Sequence, residues 1–509
     1  MNASRVERLF PVVPGLLGRA VFVVCACVLL SVAALFAFAG MLLSAAPLAA
    51  AERTAAPPVD ARADATRSPT ARGLSLLLTQ AYLPPDFDQQ VFDDLWTTWE
   101  EPSRSRAEQA ALPERRRMTM ERYGLTPHPD DASRSMQYVV DPSSGSWTMS
   151  CLACHQGQVD GHVIPGLPNS NYALETLTEE VRLVKVKQRK PFGHMDMGSL
   201  FLPLGTTNGT TNAVMFGVAL MRHRAPDLSI IQRPPRFDLV HHDMDAPAWW
   251  HYKKRRSLYA DGFAPKGHRI LMQFLLVKEN GPEKFHAWED EFRDIEQWIE
   301  TLEAPRWPWP IDMPLADKGR VIFQQHCADC HGTYRVAGAA GGIEEETYPD
   351  RIVDISEVGT DRVRFDSLTA KERGDLNKSW FGHMGADAAA MKDCESPAGY
   401  VAPPLDGVWA TAPYLHNGSV PTLWHLLHPA ERPAVWKRTP TGYDQTRVGL
   451  EVEEMEKMPA GTGQEKLSSA ERRRHFDTSK PGKSAKGHDF PDALDEDEKT
   501  AVLEYLKTL

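Results

Sequence analysis

Four of the seven cysteines fall into two copies of one five-residue pattern, Cys151-Leu152-Ala153-Cys154-His155 and Cys327-Ala328-Asp329-Cys330-His331. Two thiols with this spacing sit one helical turn apart, and the histidine that follows projects beside them. That arrangement suits a porphyrin: the thiols form thioethers with two vinyl groups on one edge, and the imidazole meets the iron from the proximal face. Rival readings of paired cysteines fit less well. A zinc site needs the two pairs close together, and these lie far apart in the chain. A thioredoxin-like dithiol needs a βαβ setting, which neither flank offers. Cys151, Cys154 and His155, and likewise Cys327, Cys330 and His331, are therefore expected to hold two covalent haem c groups, with His155 and His331 ligating iron. Cys394 reads as a buried thiol.

Haem c is attached outside the cytoplasm, and the N-terminus fits export. Arg5, Arg8 and Arg19 precede an apolar run from Ala20 to about Ala51 that ends in small residues. Residues 1–51 read as a signal peptide or a membrane anchor, and Cys25 and Cys27 lie within them. Either reading sends the remainder to the periplasm or beyond. The formal net charge of -11, without a dense Lys/Arg stripe, argues against a nucleic-acid partner. Lys253-Lys254-Arg255-Arg256 is the strongest basic cluster, expected as a solvated face or a clamp on haem propionates.

The elements that must position these groups read as mainly α, in two cytochrome-c-like domains with long irregular loops. A flexible linker covers 52–73, a first haem domain with a large insert 74–303, a Pro/Trp linker 304–313, and a second cytochrome c domain 314–509. Helices are expected over Asp93–Glu100, over Ser105–Arg122 with an interruption at Pro113, and from a cap at Asn171 through Lys185. Another runs from Pro282 to Glu303, where Phe285, Trp288, Phe292, Ile295, Trp298 and Leu302 recur at helical intervals. Ala316–Cys330 should deliver the second motif, and a last helix capped by Asp495 should cross it. Gly338–Gly342 and Glu344–Glu346 read as loop.

Further segments resemble a known family. Ala412-Pro413-Tyr414-Leu415-His416-Asn417-Gly418-Ser419-Val420-Pro421-Thr422-Leu423 is similar to a signature of the bacterial di-haem cytochrome c peroxidase and MauG superfamily. Within it, the chain looks most like the rubber-oxygenase-like (RoxA-type) di-haem cytochromes. Gly166-Leu167-Pro168-Asn169, Pro247-Ala248-Trp249-Trp250-His251-Tyr252-Lys253-Lys254, Phe476-Asp477-Thr478 and Gly487-His488 carry the same resemblance.

The resemblance implies a division of labour: an N-terminal haem, here on His155, that reacts with peroxide or dioxygen, and a six-coordinate haem, here on His331, that relays electrons. Peroxidases of the family supply a distal Met shortly after the Pro-Tyr-x-His motif, and this chain has His428-Pro429-Ala430-Glu431 there instead. The branch places a distal His near the C-terminus, which makes His488 the candidate second ligand on the His331 haem, ahead of His416, Met455 and Met458. His416 is expected to hydrogen-bond within the haem pocket. His194, Met195, Met197 and His268 are candidates for the first haem's distal side. Trp249 and Trp250 are candidates for a relay between the haems. A bridging calcium ion stays open as a further cofactor. The expected function is an exported oxidoreductase served by a small redox partner or other electron donor, acting on peroxide, dioxygen or an apolar organic substrate. The alternative is a non-catalytic electron carrier; the size of the insert Gly157–Pro305 favours the enzyme.

Overall fold

The computed structural model describes residues 68–128, 130–233, 240–335, 346–382, 397–461 and 466–509. The expected leader 1–51, most of the linker 52–73, Gly338–Gly342 and Cys394 lie outside the described residues.

Helices form where the apolar spacing and caps are strong, with boundaries decided by local hydrogen bonding. In place of Asp93–Glu100 the chain forms Gln89–Asp94, which runs into a 3₁₀ turn over Leu95–Thr98. The Asp88 side chain caps it by accepting from the Val91 amide at 3.0 Å. Pro113 stands in the first turn of Leu112–Tyr123, where its missing N–H has no helical partner to lose; Ser103–Gln109 is a separate helix. The next long helix, Leu174–Gln188, starts after Ala173 and not at Asn171. Asn171 is engaged elsewhere, its amide donating to the Pro440 carbonyl at 2.9 Å. The Phe285 to Trp298 stripe is carried by two helices, Pro282–Ala287 and Glu289–Glu300, that meet at Trp288.

The second motif sits at the end of Met313–His326, capped by Asp312, which passes through Cys327 into the single turn Ala328–His331. The last helix, Glu496–Leu506, carries a reciprocal cap between Asp495 and Glu498. It crosses Met313–His326 so closely that a Cβ on Gly319 would lie 1.9 Å from the Ala501 carbonyl oxygen. The stretches expected to be irregular contain short antiparallel pairings. The larger sheets are three-stranded: Tyr138–Val140 and Phe87–Asp88 flank Ser146–Met149, while Gly449–Met455 and His475–Asp477 flank Val435–Asp444. Pairing satisfies backbone groups that a long connection would otherwise bury unbonded.

Apolar side chains gather in clusters that draw on both sides of the Pro/Trp stretch. Leu152, Trp249, Phe292 and Trp298 pack with Leu376 and Phe381. Val159, Leu167 and Trp250 pack with Phe323, Leu423 and Tyr505. The stretch itself is pinned: Trp309 stacks on Tyr443 at 5.2 Å, and Trp409 Nε1 donates to the Pro305 carbonyl at 3.1 Å. Among the described residues no helix is long and apolar enough to cross a membrane.

The Gly319 contact can be tested. Gly319→Ala should lower the unfolding free energy by about 1–3 kcal/mol, as overpacking does elsewhere. An unchanged urea midpoint would show that the two helices do not approach so closely.

Candidate metal centres

The first motif leaves the strand Ser146–Met149 and makes one helical turn, Leu152–His155, before the hairpin of Gln156–Val159 with His162–Pro165. His155 Nδ1 lies 3.1 Å from the Pro247 carbonyl. A carbonyl only accepts, so Nδ1 carries the proton and Nε2 keeps a free lone pair. Desolvation takes the imidazole down to about 4, against the opposing pull of that carbonyl, so it is neutral at physiological pH. Trp249 stacks on the ring at 4.4 Å and 19°. Its own amide donates to the Gly166 carbonyl at 2.9 Å.

The second motif repeats the device. His331 Nδ1 lies 3.0 Å from the Pro403 carbonyl, and desolvation lowers this imidazole too. Across from it stands His488, ring centre to ring centre 6.3 Å at 62°. Two metal–nitrogen bonds of about 2 Å, plus about 1 Å from each nitrogen to its ring centre, come to roughly the same span. One metal ion fits between the rings.

An amide hydrogen bond and two guanidinium contacts hold His488 there against an unfavourable backbone. Its φ is +53°, a conformation that side chains rarely adopt, and Gly487 before it is at +81°. The His488 amide donates to the Val358 carbonyl at 2.6 Å, and Arg432 Nη1 bonds the carbonyls of Ala485 and Gly487 at 2.7 and 2.6 Å. Desolvation, with His331 and Arg432 adding to it, takes the His488 imidazole to about 3, and its Nδ1 has no hydrogen-bond partner.

The thiols fit the same group. Desolvation pushes Cys151 up to about 11 and Cys154 and Cys327 to about 12, and raises Cys330. Such surroundings disfavour a thiolate, the form needed for zinc or for disulfide exchange. A thioether has no charge to desolvate. The residues present therefore suit a covalently held haem at each motif.

The other candidates scatter. His416 packs on Tyr400 at 4.3 Å, and its carbonyl accepts from the Asp245 amide at 3.0 Å. Met455 ends a strand opposite Val435, with Met458 just beyond. His268 lies 3.2 Å from Glu289 and 3.7 Å from Glu296, which commits it to carboxylates. Met197 is exposed, whereas Met195 packs in the cluster that contains Cys154. His194 is half-buried with both ring nitrogens unbonded, and its Nε2 is 3.8 Å from Asp86, a buried carboxylate that the sequence reading missed. Desolvation raises Asp86, with His194 opposing. No motif marks Asp86, because its neighbours arrive from distant parts of the chain. Calcium has no gathered set of three or more His, Cys, Asp or Glu side chains among the described residues.

Two short segments join the proximal histidines. Trp250 Nε1 donates to the Asp406 carbonyl at 2.7 Å, and Lys254 pairs with the Asp406 carboxylate at 2.7 Å. Residues 247–254 thus hold His155 through Pro247 and grip 403–406, which holds His331 through Pro403. Three side chains of the basic run are engaged by carboxylates. Lys253 pairs with Glu303, Lys254 with Asp406 and Glu346, and Arg255 with Asp350, so their charges are already compensated.

Residues 399–437, which include Pro403, Asp406 and His416, match the family model described as RoxA-like, cytochrome c-like. Two proteins of Sinorhizobium fredii (strain NBRC 101917 / NGR234) are similar to parts of the chain. Uncharacterized protein y4iJ is 31% identical over 264 residues, 41% of this chain and 41% of that protein. Uncharacterized protein y4iM is 28% identical over 305 residues, 52% of this chain and 64% of that protein. The chain thus spans less than two thirds of either relative. The match to a RoxA-like cytochrome c domain implies covalently bound haem c and points to a haem-containing redox protein.

Proposed function

We propose that the chain is an exported di-haem c-type oxidoreductase that activates peroxide or dioxygen at the His155 haem and relays electrons through the His331 haem. The observation that carries this reading is an asymmetry. His331 faces a second imidazole at metal-bridging distance, while the ring contact of His155 among the described residues is the Trp249 stack. When bound, an iron held on both faces exchanges electrons only, whereas one held on a single face can also take an oxidant.

The protein's own groups account for the rest. The carbonyls of Pro247 and Pro403 hold each Nδ1 proton, which orients each ring and makes Nε2 a stronger donor. Arg432 and the Val358 carbonyl keep His488 in place against its unfavourable backbone. The indoles of Trp249 and Trp250 occupy the segment joining the two proximal sides, one against His155 and one hydrogen-bonded towards the His331 side, which supports a relay role for both. Leu183 and Val186 on Leu174–Gln188, and Leu200 and Phe201 on His194–Phe201, remain exposed.

The purified protein should weigh two haems more than its polypeptide after denaturation. Cys327→Ala with Cys330→Ala should remove one of the two, and a mass equal to the bare chain would end the di-haem reading. His488→Ala should convert the His331 haem from low to high spin and open it to carbon monoxide; an unaltered low-spin spectrum would remove His488 as the ligand. In the unmutated protein carbon monoxide should shift one haem's spectrum. A protein in which neither haem responds is a carrier and not an enzyme.

A further inference from the structure

Away from the basic run, two buried guanidiniums share one carboxylate among the described residues. Asp261 is 0% exposed and lies between Arg364 and Arg373, which are 1% and 3% exposed. Arg364 Nη2 donates to Asp261 Oδ1 at 2.9 Å, and Arg373 Nη2 to Oδ2 at 2.6 Å. Desolvation alone would raise this carboxyl, but the two guanidiniums hold it below the usual carboxylate range. Two cations face one anion. The hydrogen bonds show the same shortfall, since Arg364 Nε and Nη1 and Arg373 Nη1 are buried with no acceptor among the described residues. A guanidinium cannot escape by losing its proton, and an orphaned charged donor carries its full desolvation cost.

The neighbouring groups do not make up the deficit. Asp361 forms no ion pair with either guanidinium; its Oδ1 accepts from the Val363 amide at 2.9 Å and its Oδ2 from the Ser484 amide at 3.1 Å. His242 and His416 stay neutral, lowered to about 4 and about 3 by desolvation, with Arg364 contributing in both cases. Desolvation raises the phenols of Tyr259 and Tyr400 against the pull of Arg364, so both are uncharged. Phe263 lies under both guanidiniums, at 5.5 and 5.9 Å. Thr360 adds a buried hydroxyl with no partner.

The walls of this cluster continue those of the His331/His488 centre. Thr360 and Arg364 lie two and six residues beyond Val358, whose carbonyl holds the His488 amide, and a Cβ on Gly487 would lie 2.3 Å from the Thr360 nitrogen. The Val401 amide donates to the Ala260 carbonyl, next to Asp261, at 2.7 Å, and Pro403, the anchor of His331, lies two residues beyond Val401.

We propose that Arg364 and Arg373 form a carboxylate site filled by a propionate of the haem held between His331 and His488, an inference that rests on the di-haem reading. A carboxylate has the charge, the planarity and the two acceptor oxygens that a guanidinium fork matches. Its arrival balances two cations with two anions. Thioethers at Cys327 and Cys330 fix one porphyrin edge and leave the propionates on the opposite one. Side chains this deeply buried are reached more readily by a carboxylate tethered inside the fold than by one from solution.

The test uses purified holoprotein carrying Arg364→Gln, Arg373→Gln or the conservative Arg373→Lys. Reduction potentials of the two haems are read separately by spectroelectrochemistry, with the propionate carboxylate band followed by redox-difference infrared spectroscopy. Loss of a nearby cation favours ferric iron. Each Gln variant should therefore lower the potential of the His331 haem and move the band, with Arg373→Lys shifting both less and the His155 haem unmoved. Two haems per chain with both potentials and the band unchanged would overturn this inference alone, and a shift confined to the His155 haem would overturn the choice of haem. Sodium acetate provides the free-carboxylate arm. Saturable binding to the unmutated holoprotein that is lost in Arg364→Gln would overturn the propionate as occupant. Fewer than two haems per chain in the unmutated sample would instead sink the underlying reading.

Discussion

A buried imidazole can offer a lone pair on one nitrogen only if the other keeps its proton, and a proton away from water needs an acceptor. Both histidines of the C-x-x-C-H motifs meet that requirement in the same way, through a backbone carbonyl that precedes an alanine or a proline, Pro247 for His155 and Pro403 for His331. Much of the architecture serves to bring those two carbonyls into position. Neither belongs to a long helix, so each must be held by its neighbours. Trp250 and Lys254 bind the segment after Pro247 to Asp406, and Asp406 follows shortly after Pro403. The two centres are therefore oriented by a shared scaffold, in which Trp250 and His251 bond the Asp406 carbonyl and Lys254 pairs with the Asp406 carboxylate.

That shared scaffold explains why the cores mix residues from both ends of the chain. Leu376 and Phe381 complete a cluster built mainly from the first half, and Trp250 and Val159 complete one built mainly from the second. The Pro/Trp stretch between the motifs is consequently packed, with Trp307, Trp309, Trp409 and Tyr443 in mutual contact. The close crossing at Gly319 does the same for the last helix, bringing a backbone carbonyl against a residue without a side chain.

Charge is handled unevenly across the fold. In the conspicuous cluster of the sequence, Lys253, Lys254 and Arg255 are paired with carboxylates. Arg364 and Arg373, which share the one Asp261 carboxylate, are separated in sequence and marked by no run of like charge. Composition shows how many charges there are; only the folded arrangement shows which of them are left over.

The candidate attachment residues are named from sequence because thioether chemistry demands a fixed local spacing: Cys151, Cys154, His155, Cys327, Cys330 and His331 need no fold to be picked out. The capped last helix and the apolar stripe around Phe292 were legible for the same reason, since helical periodicity is local, although its break at Trp288 was not. His488 came from resemblance, as nothing in Gly487-His488 itself specifies a ring 6.3 Å from His331. The carbonyl anchors, the Asp86–His194 pair and the Asp261–Arg364–Arg373 cluster were invisible. Backbone carbonyls carry no residue signature, and buried pairs are assembled from segments whose separation in the chain says nothing of their distance in space. Local covalent and helical rules therefore determined where haem could be attached. Tertiary packing alone decided which atoms hold the two proximal rings and where a buried charge still needs a partner.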